Sequence, residues 1–490
     1  MGTVEMFRPG ASVYFVGIKG TGVCALAELM HQAGVSVSGS DTPEVFYTDA
    51  ILQTLKIPYH ENFDAAHIKD GVSVVIHSAA YSAETNPELA EAARRSIPVM
   101  KYPDALGCWS AGFDSTGICG VHGKTTTTAM AGVLMRAAGI PAQILAGSAV
   151  MNFGEKSTLN LGNKYFIAET CEYRRHFLSF HPKRIILTAV ESDHQDCFPD
   201  YESIRDAFVD YCRLLPDGGE LIYCADDPGA NEVAAIIEKE KSKVILVPYG
   251  FTASGDYIIT SFNVENKESA FTLAGIPGAF KIRIPGRHQA LNAAAALALT
   301  VILAKKEYGI YDPAVLKSAL VDFEGSKRRS EILGEAGGVI FMDDYGHHPS
   351  AIKTSLAGIK SFYPSRRLIV SFMPHTYTRT SALLEEFAHA FNDADILFLH
   401  KIYASAREKY SGGVTGKTLS ERIAANRSAA SSGAETLIYT DEPEDAFEPL
   451  CKILKPGDLF ITVGAGNNWP LGKKLFDHYK SVSSDGENHD

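Results

Sequence analysis

The sequence predicts an α/β protein of three domains, each built on a mostly parallel sheet. Three observations carry this. The chain has 490 residues, more than one hydrophobic core organises, and domain-size priors divide that length into roughly three units. Apolar runs of strand length alternate with stretches of helical pattern along most of the chain. Glycine-rich turns stand between such a strand and such a helix at residues 17–22 and 120–123, where open α/β sheets receive anionic ligands.

The first segment, residues 1–112, reads as a small Rossmann-like domain. An apolar run at 12–16 leads into Gly17-Ile18-Lys19-Gly20-Thr21-Gly22 and then a helical pattern from Cys24 to Ala33. Further strands are expected at 35–40, ending at Asp41, at 72–80 and at 99–102. The glycine spacing is G-x-x-G-x-G, and Asp41 stands about 20 residues beyond it, where an acid holds ribose in dinucleotide sites. A nucleotide diphosphate, a redox dinucleotide and a bare packing turn all remain open on this spacing.

The second segment, 113–325, opens on the most informative stretch, Gly117-Ile118-Cys119-Gly120-Val121-His122-Gly123-Lys124-Thr125-Thr126. An apolar run, small residues, Gly-Lys-Thr and a helical pattern follow in the order a nucleotide phosphate requires. Backbone N–H groups close on the anion, lysine adds a charge, and a threonine hydroxyl holds Mg2+. The loop is shorter than the full G-x4-G-K-T pattern, since Ile118 takes the place of its first glycine. An ordinary strand-to-helix turn is the competing reading. Strands follow at 165–169, 184–188, 220–224 and 244–247, then an antiparallel excursion over 257–284 and an alanine-rich helix over 289–303. The third segment, 326–480, returns to the alternating pattern with strands at 339–342, 368–372, 395–399, 436–439 and 459–463, a second Rossmann-like domain. Residues 481–490 are polar and read as a disordered tail.

Composition narrows the function classes. The 46 basic and 58 acidic residues give a net charge of −12, which disfavours a nucleic-acid binder but leaves room for a local basic pocket. The eight cysteines form no C-x-x-C pair and read as free thiols in a reducing compartment. The N-terminus shows no signal-peptide core, and the stretch 290–304 is too short to span a bilayer. A cytoplasmic protein, a monomer or weak dimer without membrane or nucleic-acid partners, is expected.

Several polar clusters follow strands. Glu169-Thr170-Cys171-Glu172 and Asp193-His194-Gln195-Asp196 lie where a carboxylate and an imidazole could converge on a second Mg2+ near the phosphate loop, although each alone also reads as a solvated loop. His288 and Asn292 are four residues apart on one helical face and could meet a flat base, or simply cap the helix. Asp343-Asp344-Tyr345-Gly346-His347-His348-Pro349 resembles a metal cluster, but adjacent histidines on a turn rarely face one ion. A polar substrate pocket is the better reading, with Arg379 brought to the same edge as a fork for a carboxylate.

Taken in order, these motifs resemble the Mur ligases of peptidoglycan synthesis, ATP-dependent amide-forming enzymes. The likeness runs from the first glycine loop to Val463-Gly464-Ala465-Gly466 and includes Asn86-Pro87-Glu88, Pro285-Gly286-Arg287-His288 and Lys327-Arg328-Arg329. The resemblance implies a central P-loop ATPase-like domain between two Rossmann-like domains. It implies a ligase joining L-alanine to the carboxylate of UDP-N-acetylmuramate through an acyl phosphate, with ATP and Mg2+; a ligase recycling a whole murein peptide is the nearest alternative. The UDP-sugar would meet Gly17, Gly20, Gly22, Ser40, Asp41 and Ser78. ATP would meet Gly120, His122, Gly123, Lys124, Thr125, Thr126, His288 and Asn292. Lys124, Glu169 and His194 would be catalytic, with Thr125, Glu169 and His194 as metal ligands, and Tyr345, His347 and Arg379 would receive the amino acid. Three positions depart from the family pattern: Cys171 replaces an acid, Ala189 an asparagine and Thr376 an arginine. A nicotinamide dehydrogenase would leave the second loop unexplained, and a non-catalytic nucleotide sensor would bind ATP without substrate-dependent phosphate release.

Overall fold

The computed structural model describes residues 6–404, 408, 410, 412–429 and 436–486, and among them the strands form four sheets. The first is parallel, β1 (Ser12–Val16), β2 (Ser36–Ser40), β3 (Tyr59–His60), β4 (Val74–His77) and β5 (Val99–Lys101), in the order β3-β2-β1-β4-β5. The order reverses beside β1, so the glycine turn that follows it stands at a switch point. β1 is apolar and buried on both faces, as a central parallel strand must be.

The second sheet holds β6 (Asp114–Cys119), β7 (Ala142–Val150), β8 (Lys156–Asn160), β9 (Tyr165–Glu169), β10 (Arg184–Leu187), β11 (Glu220–Cys224) and β12 (Ile245–Tyr249), ordered β12-β11-β10-β6-β9-β7-β8. All neighbours pair in parallel except β7 with β8. A small antiparallel sheet follows, β13 (Ile259–Glu265), β14 (Glu268–Leu273) and β15 (Ile276–Ile282), within the excursion expected from the sequence. The alanine-rich helix runs from Arg287 to Tyr308, longer than the stretch read from the sequence. It is long and apolar enough to cross a membrane, but it lies buried in the core of the central domain, where alanine permits close approach to the helix Lys124–Ala137.

The third sheet-domain comprises β16 (Glu331–Ala336), β17 (Val339–Asp344), β18 (Arg367–Phe372), β19 (Ile396–Leu399), β20 (Thr436–Tyr439) and β21 (Asp458–Val463), ordered β16-β17-β21-β18-β19-β20 with only β16 antiparallel. Helices cover both faces, giving two separate apolar clusters. The expected tail differs. The helix Trp469–Gly486 continues through residues 481–486, anchored upstream by buried Leu471 and Leu475 and by Phe476 and Tyr479 against Phe341; residues 487–490 lie outside the described residues.

The first domain docks on the central one through a continuous core that includes Trp109, Phe166 and Phe180. Buried Glu28 accepts from Thr158 Oγ1 at 2.5 Å and from Lys156 Nζ at 3.0 Å across that seam. Gly107 abuts the Ser179 carbonyl so closely that a Cβ would stand 1.9 Å from it. The helix Pro349–Phe362 of the third domain makes a comparable contact, Gly358 against Gly286 of the central domain, where a Cβ would stand 2.5 Å from the Gly286 Cα.

Candidate active site

β6 ends at Cys119, and residues 120–123 turn the chain into the helix Lys124–Ala137. Gly120 (φ +128°) and Gly123 (φ +79°) occupy backbone regions that favour glycine. A Cβ would lie 2.1 Å from Thr188 Oγ1 at Gly120 and 2.6 Å from Asn292 Oδ1 at Gly123. No side chain caps the helix, so its first-turn N–H groups suit an anion at the positive end of the macrodipole.

Lys124 Nζ donates to the Gly120 carbonyl at 2.5 Å and to both Glu172 oxygens at 3.1 Å. Burial is the largest single influence and opposes its charge, but Glu172, Cys171 and Glu169 together overcome it and raise the ammonium above its ordinary value. Burial likewise opposes charge on Glu172, and Lys124 with His194 nevertheless brings it below the usual carboxylate value. Thr125 Oγ1 donates to Glu169 Oε2 at 2.8 Å, and the Gly147 N–H donates to the same oxygen at 2.8 Å. That pair of hard oxygen donors beside the phosphate loop fits Mg2+. His194, left-handed at φ +55°, places Nε2 3.4 Å from Glu172 and 3.8 Å from Asp193. Glu169 and His194, expected as a pair, thus face one cavity through different carboxylate and hydroxyl partners.

Arg379 and Asp193 are both buried. Arg379 Nε and Nη2 donate to Asp193 Oδ1 at 2.8 and 2.7 Å, and Nη1 lies 3.1 Å from His375 Nδ1. Burial would raise the Asp193 carboxyl, but the guanidinium holds it far below the usual range. The fork expected to face an incoming carboxylate is therefore already engaged with a carboxylate of the central domain. Tyr345 lies beneath the guanidiniums of Arg328 and Arg329, 5.1 and 5.0 Å from its ring centroid. His347 Nδ1 donates to the Tyr345 carbonyl at 3.0 Å, which leaves Nε2 as an acceptor. Burial, then the Arg379 charge, keeps this imidazole well below its ordinary value, hence neutral.

Gln289 links His288 and Asn292. Its amide nitrogen donates to His288 Nε2 at 3.0 Å and its oxygen accepts from Asn292 Nδ2 at 3.1 Å. Asn292 Oδ1 accepts from Thr127 Oγ1 at 3.3 Å. Burial pushes His288 down to about 4 and leaves its Nδ1 without a protein partner, a donor suited to a nucleobase acceptor. His122, Gly123, Lys124, Thr125, Thr126, Glu169, His194, His288, Asn292, Tyr345, His347 and Arg379 all line one cavity of about 1550 Å³, whereas Gly120 forms the turn behind it.

The first-domain candidates lie apart from that lining, at the C-terminal edge of the first sheet. Gly17 (φ +81°) packs under Tyr81, and the Gly17 and Ile18 N–H groups donate to the Ser40 carbonyl at 2.9 and 3.1 Å. The Gly20 N–H donates back to Gly17 O at 3.2 Å, and Gly22 packs beneath Tyr102. Ser40 is fully buried and donates its hydroxyl to Glu88, so its side chain is committed to the fold. Asp41 accepts from the Lys19 and Thr42 N–H groups at 2.7 and 2.8 Å, and Ser78 N–H donates to Val16 O at 3.0 Å. Thr21, Tyr47 and Ala79 carry this edge to the cavity.

Sequence reasoning missed Glu172 as the partner of Lys124, the Asp193–Arg379 pair, and Arg329, whose Nη2 donates to Thr125 Oγ1 at 3.4 Å. Glu172 and Asp193 sit inside the quoted acid motifs, so the signal was their adjacency to Glu169 and His194. Of the three departures, Cys171 lines the cavity, Ala189 accepts the Val121 N–H at 2.9 Å, and Thr376 is left-handed at φ +65°.

Comparisons with known proteins agree along the chain. Three family models match: the Mur ligase family, catalytic domain over residues 12–114, the Mur ligase middle domain over 118–300, and the Mur ligase, glutamate ligase domain over 328–466. The chain is 48% identical over 482 residues to a UDP-N-acetylmuramate–L-alanine ligase of Treponema pallidum (strain Nichols), covering 98% of this chain and 99% of the relative. A protein of the same name from Borreliella burgdorferi is 38% identical over 465 residues, covering 94% and 97%. Among solved structures, UDP-N-acetylmuramate-alanine ligase MurC of Thermotoga maritima shares the fold with a TM-score of 0.74 at 23% identity, covering 96% of this chain and 99% of that one. The murein peptide ligase of Psychrobacter arcticus also shares it, with a TM-score of 0.63 at 22% identity, covering 96% and 99%.

Proposed function

The chain belongs to the Mur ligase family, and from that premise we propose that it joins L-alanine to the lactyl carboxylate of UDP-N-acetylmuramate, converting ATP to ADP and phosphate. The observation that carries this reading is the Lys124–Glu172 pair at an uncapped helix, opening into a cavity lined by all three domains. The relatives bearing the corresponding name match nearly the whole chain. We divide the chain functionally at residues 112 and 325: a UDP-sugar side, an ATP side and an amino-acid side.

The chemistry follows from charge. The lactyl carboxylate and the γ-phosphate are both anions, so their approach needs fixed positive charge. Lys124 and the first-turn N–H groups supply it without reorganising. Thr125 and Glu169, with His194 on the same cavity wall, would hold Mg2+, which neutralises charge on the transferring phosphoryl group. A carboxylate oxygen bonds to the γ-phosphorus as the bond to the ADP oxygen breaks, giving an acyl phosphate. The amine of alanine then attacks the acyl carbon, and phosphate leaves as the amide forms. His347, held neutral, presents Nε2 as a hydrogen-bond acceptor to the incoming amine, whose proton leaves with the released phosphate. Arg379 and Tyr345 bound the same wall, and His288 with Asn292 offers polar atoms to adenine. Packing of the third domain against the phosphate loop keeps water from the acyl phosphate.

The test is phosphate release with ATP, Mg2+ and UDP-N-acetylmuramate, with L-alanine, other amino acids or a murein tripeptide added in parallel. Release that needs both the UDP-sugar and L-alanine is expected. Release with the tripeptide alone moves the chain to the recycling branch, and ATP binding without release leaves a nucleotide sensor.

A further inference from the structure

Three chain segments from two domains bring nitrogen and oxygen donors together outside the Lys124–Glu172 and Thr125–Glu169 contacts. His122 comes from the phosphate loop, Glu191 follows β10, and His348 follows β17. One ligand atom from each lies within 4.8 Å of the other two. The His122 Nε2 contacts Glu191 Oε1, and His348 Nδ1 is 3.5 Å from that same oxygen. We propose that His122, Glu191 and His348 form a binding site for a divalent transition-metal cation of the Zn2+ class, which ties the phosphate loop to the third domain.

The donor chemistry separates this site from Mg2+. Two imidazoles and one carboxylate suit Zn2+, Co2+ or Ni2+, whereas Mg2+ takes oxygen ligands and keeps its waters. Ligand atoms about 2.0–2.1 Å from a tetrahedral ion stand roughly 3.4 Å from one another; the His348–Glu191 separation is close to this, whereas His122 Nε2 and Glu191 Oε1 are in closer contact and would draw apart around an ion. The outer contacts have the form such a ligand needs. His348 Nε2 donates to the Ser192 carbonyl at 3.1 Å, which orients the ring and leaves Nδ1 with a lone pair, 2.8 Å from Ser350 Oγ and 3.5 Å from Glu191 Oε1. A small polar group already occupies the centre. Ser350 Oγ lies 2.6 Å from Glu191 Oε1, 2.8 Å from His348 Nδ1 and 3.1 Å from His122 Nε2, so an ion between the three ligands would have to displace this hydroxyl. The adjacent-histidine turn thus divides its labour: His347 faces Tyr345 and Arg379, while His348 turns to the seam.

The site's occupancy joins the two domains across the phosphate loop, so the ion opposes opening and slows turnover without displacing Mg2+. The experiment titrates Co2+ into the full chain, stripped of metal, in excess Mg2+ and without nucleotide or UDP-sugar. One equivalent should bind with the visible spectrum of nitrogen and oxygen ligation, without the thiolate charge-transfer band that Cys171 would give, and Zn2+ should displace it. His348→Ala and Glu191→Gln should each weaken binding at least about tenfold, while Ser350→Ala, which keeps all three ligands, should bind as well as or better than the unaltered chain. Circular dichroism establishes that each variant is folded, and if His348→Ala is not, Glu191→Gln decides. No Co2+ uptake in Mg2+, a thiolate band, or equal uptake by both ligand variants overturns the site. Because no substrate is present, these outcomes are independent of the phosphate-release test of the ligase reading.

Discussion

At the phosphate loop, the Lys124 ammonium lies 3.1 Å from Glu172 and remains charged although its surroundings are largely desolvated. In the proposed reaction, replacing it removes a fixed charge beside the transferring phosphate. Lys124→Ala should cut turnover roughly 10³-fold or more, read as phosphate release, while His194 continues to partner Glu172 and the circular dichroism spectrum stays native. Near-normal turnover would falsify the role of this loop. His288 supports a pH prediction. Its folded value of about 4 lies below its ordinary 6.5, so the folded chain binds fewer protons at that ring between those values. Stability present above pH 6.5 is therefore lost as the pH falls toward 4, and His288→Gln should flatten that part of a melting-temperature profile. The motif spacing pointed to Lys124 and Thr125 and to the clusters that hold Glu169 and His194, from which the family resemblance singled out those two; all four line one cavity. It did not identify Glu172 as the lysine's partner, because that depends on a turn in which Arg174 and Arg175 are both left-handed, at φ +51° and +56°.

Elements with a strong local signal were legible in order: the glycine turn after β6, the buried parallel strands and the alanine-rich helix all follow from period and from turn chemistry. The β7–β8 hairpin and the antiparallel edge β16 were not, since their residues mix polar and apolar types and their pairing is decided by neighbours distant in sequence. At the phosphate turn, one residue sets the element's geometry. Gly123→Ala places a Cβ at φ +79° and 2.6 Å from Asn292 Oδ1. The left-handed backbone costs about 1–2 kcal/mol, and displacement of Asn292 disturbs the nucleotide side. Its melting temperature should fall, and ATP affinity by calorimetry should weaken by about tenfold or more with KM for L-alanine little changed. Equal losses for both substrates would refute a local effect.

Across the whole molecule, the third domain is fastened by buried polar contacts as well as by the Gly358–Gly286 approach. Arg379→Ala strands Asp193 as a buried carboxylate, a loss of about 3–5 kcal/mol, so its melting temperature should drop sharply. Adding Asp193→Asn should restore much of it; no restoration would show that the pair is not what the substitution broke. The sign with pH is opposite in origin to that of His288 but the same in direction. A depressed Asp193 contributes stability above the ordinary carboxylate value of about 3.9, and that stability is lost as the pH falls through its lower folded value. Any effect of Arg379 on the amino-acid KM must be read in the double variant, where fold and binding separate.

By itself the sequence determined the three alternating α/β segments, the position of the phosphate loop and the residue types that surround it, because period, glycine placement and motif spacing act over a few residues. Only the tertiary structure decided which acids meet which cations. Glu172 rather than Glu169 faces Lys124, Asp193 engages Arg379, Ser40 turns inward to Glu88, and His348 leaves His347 to join His122 and Glu191. The physical reason is one of range: local geometry is set by neighbouring dihedrals and side-chain period, whereas buried charges choose partners by desolvation and distance across domains that no local pattern encodes.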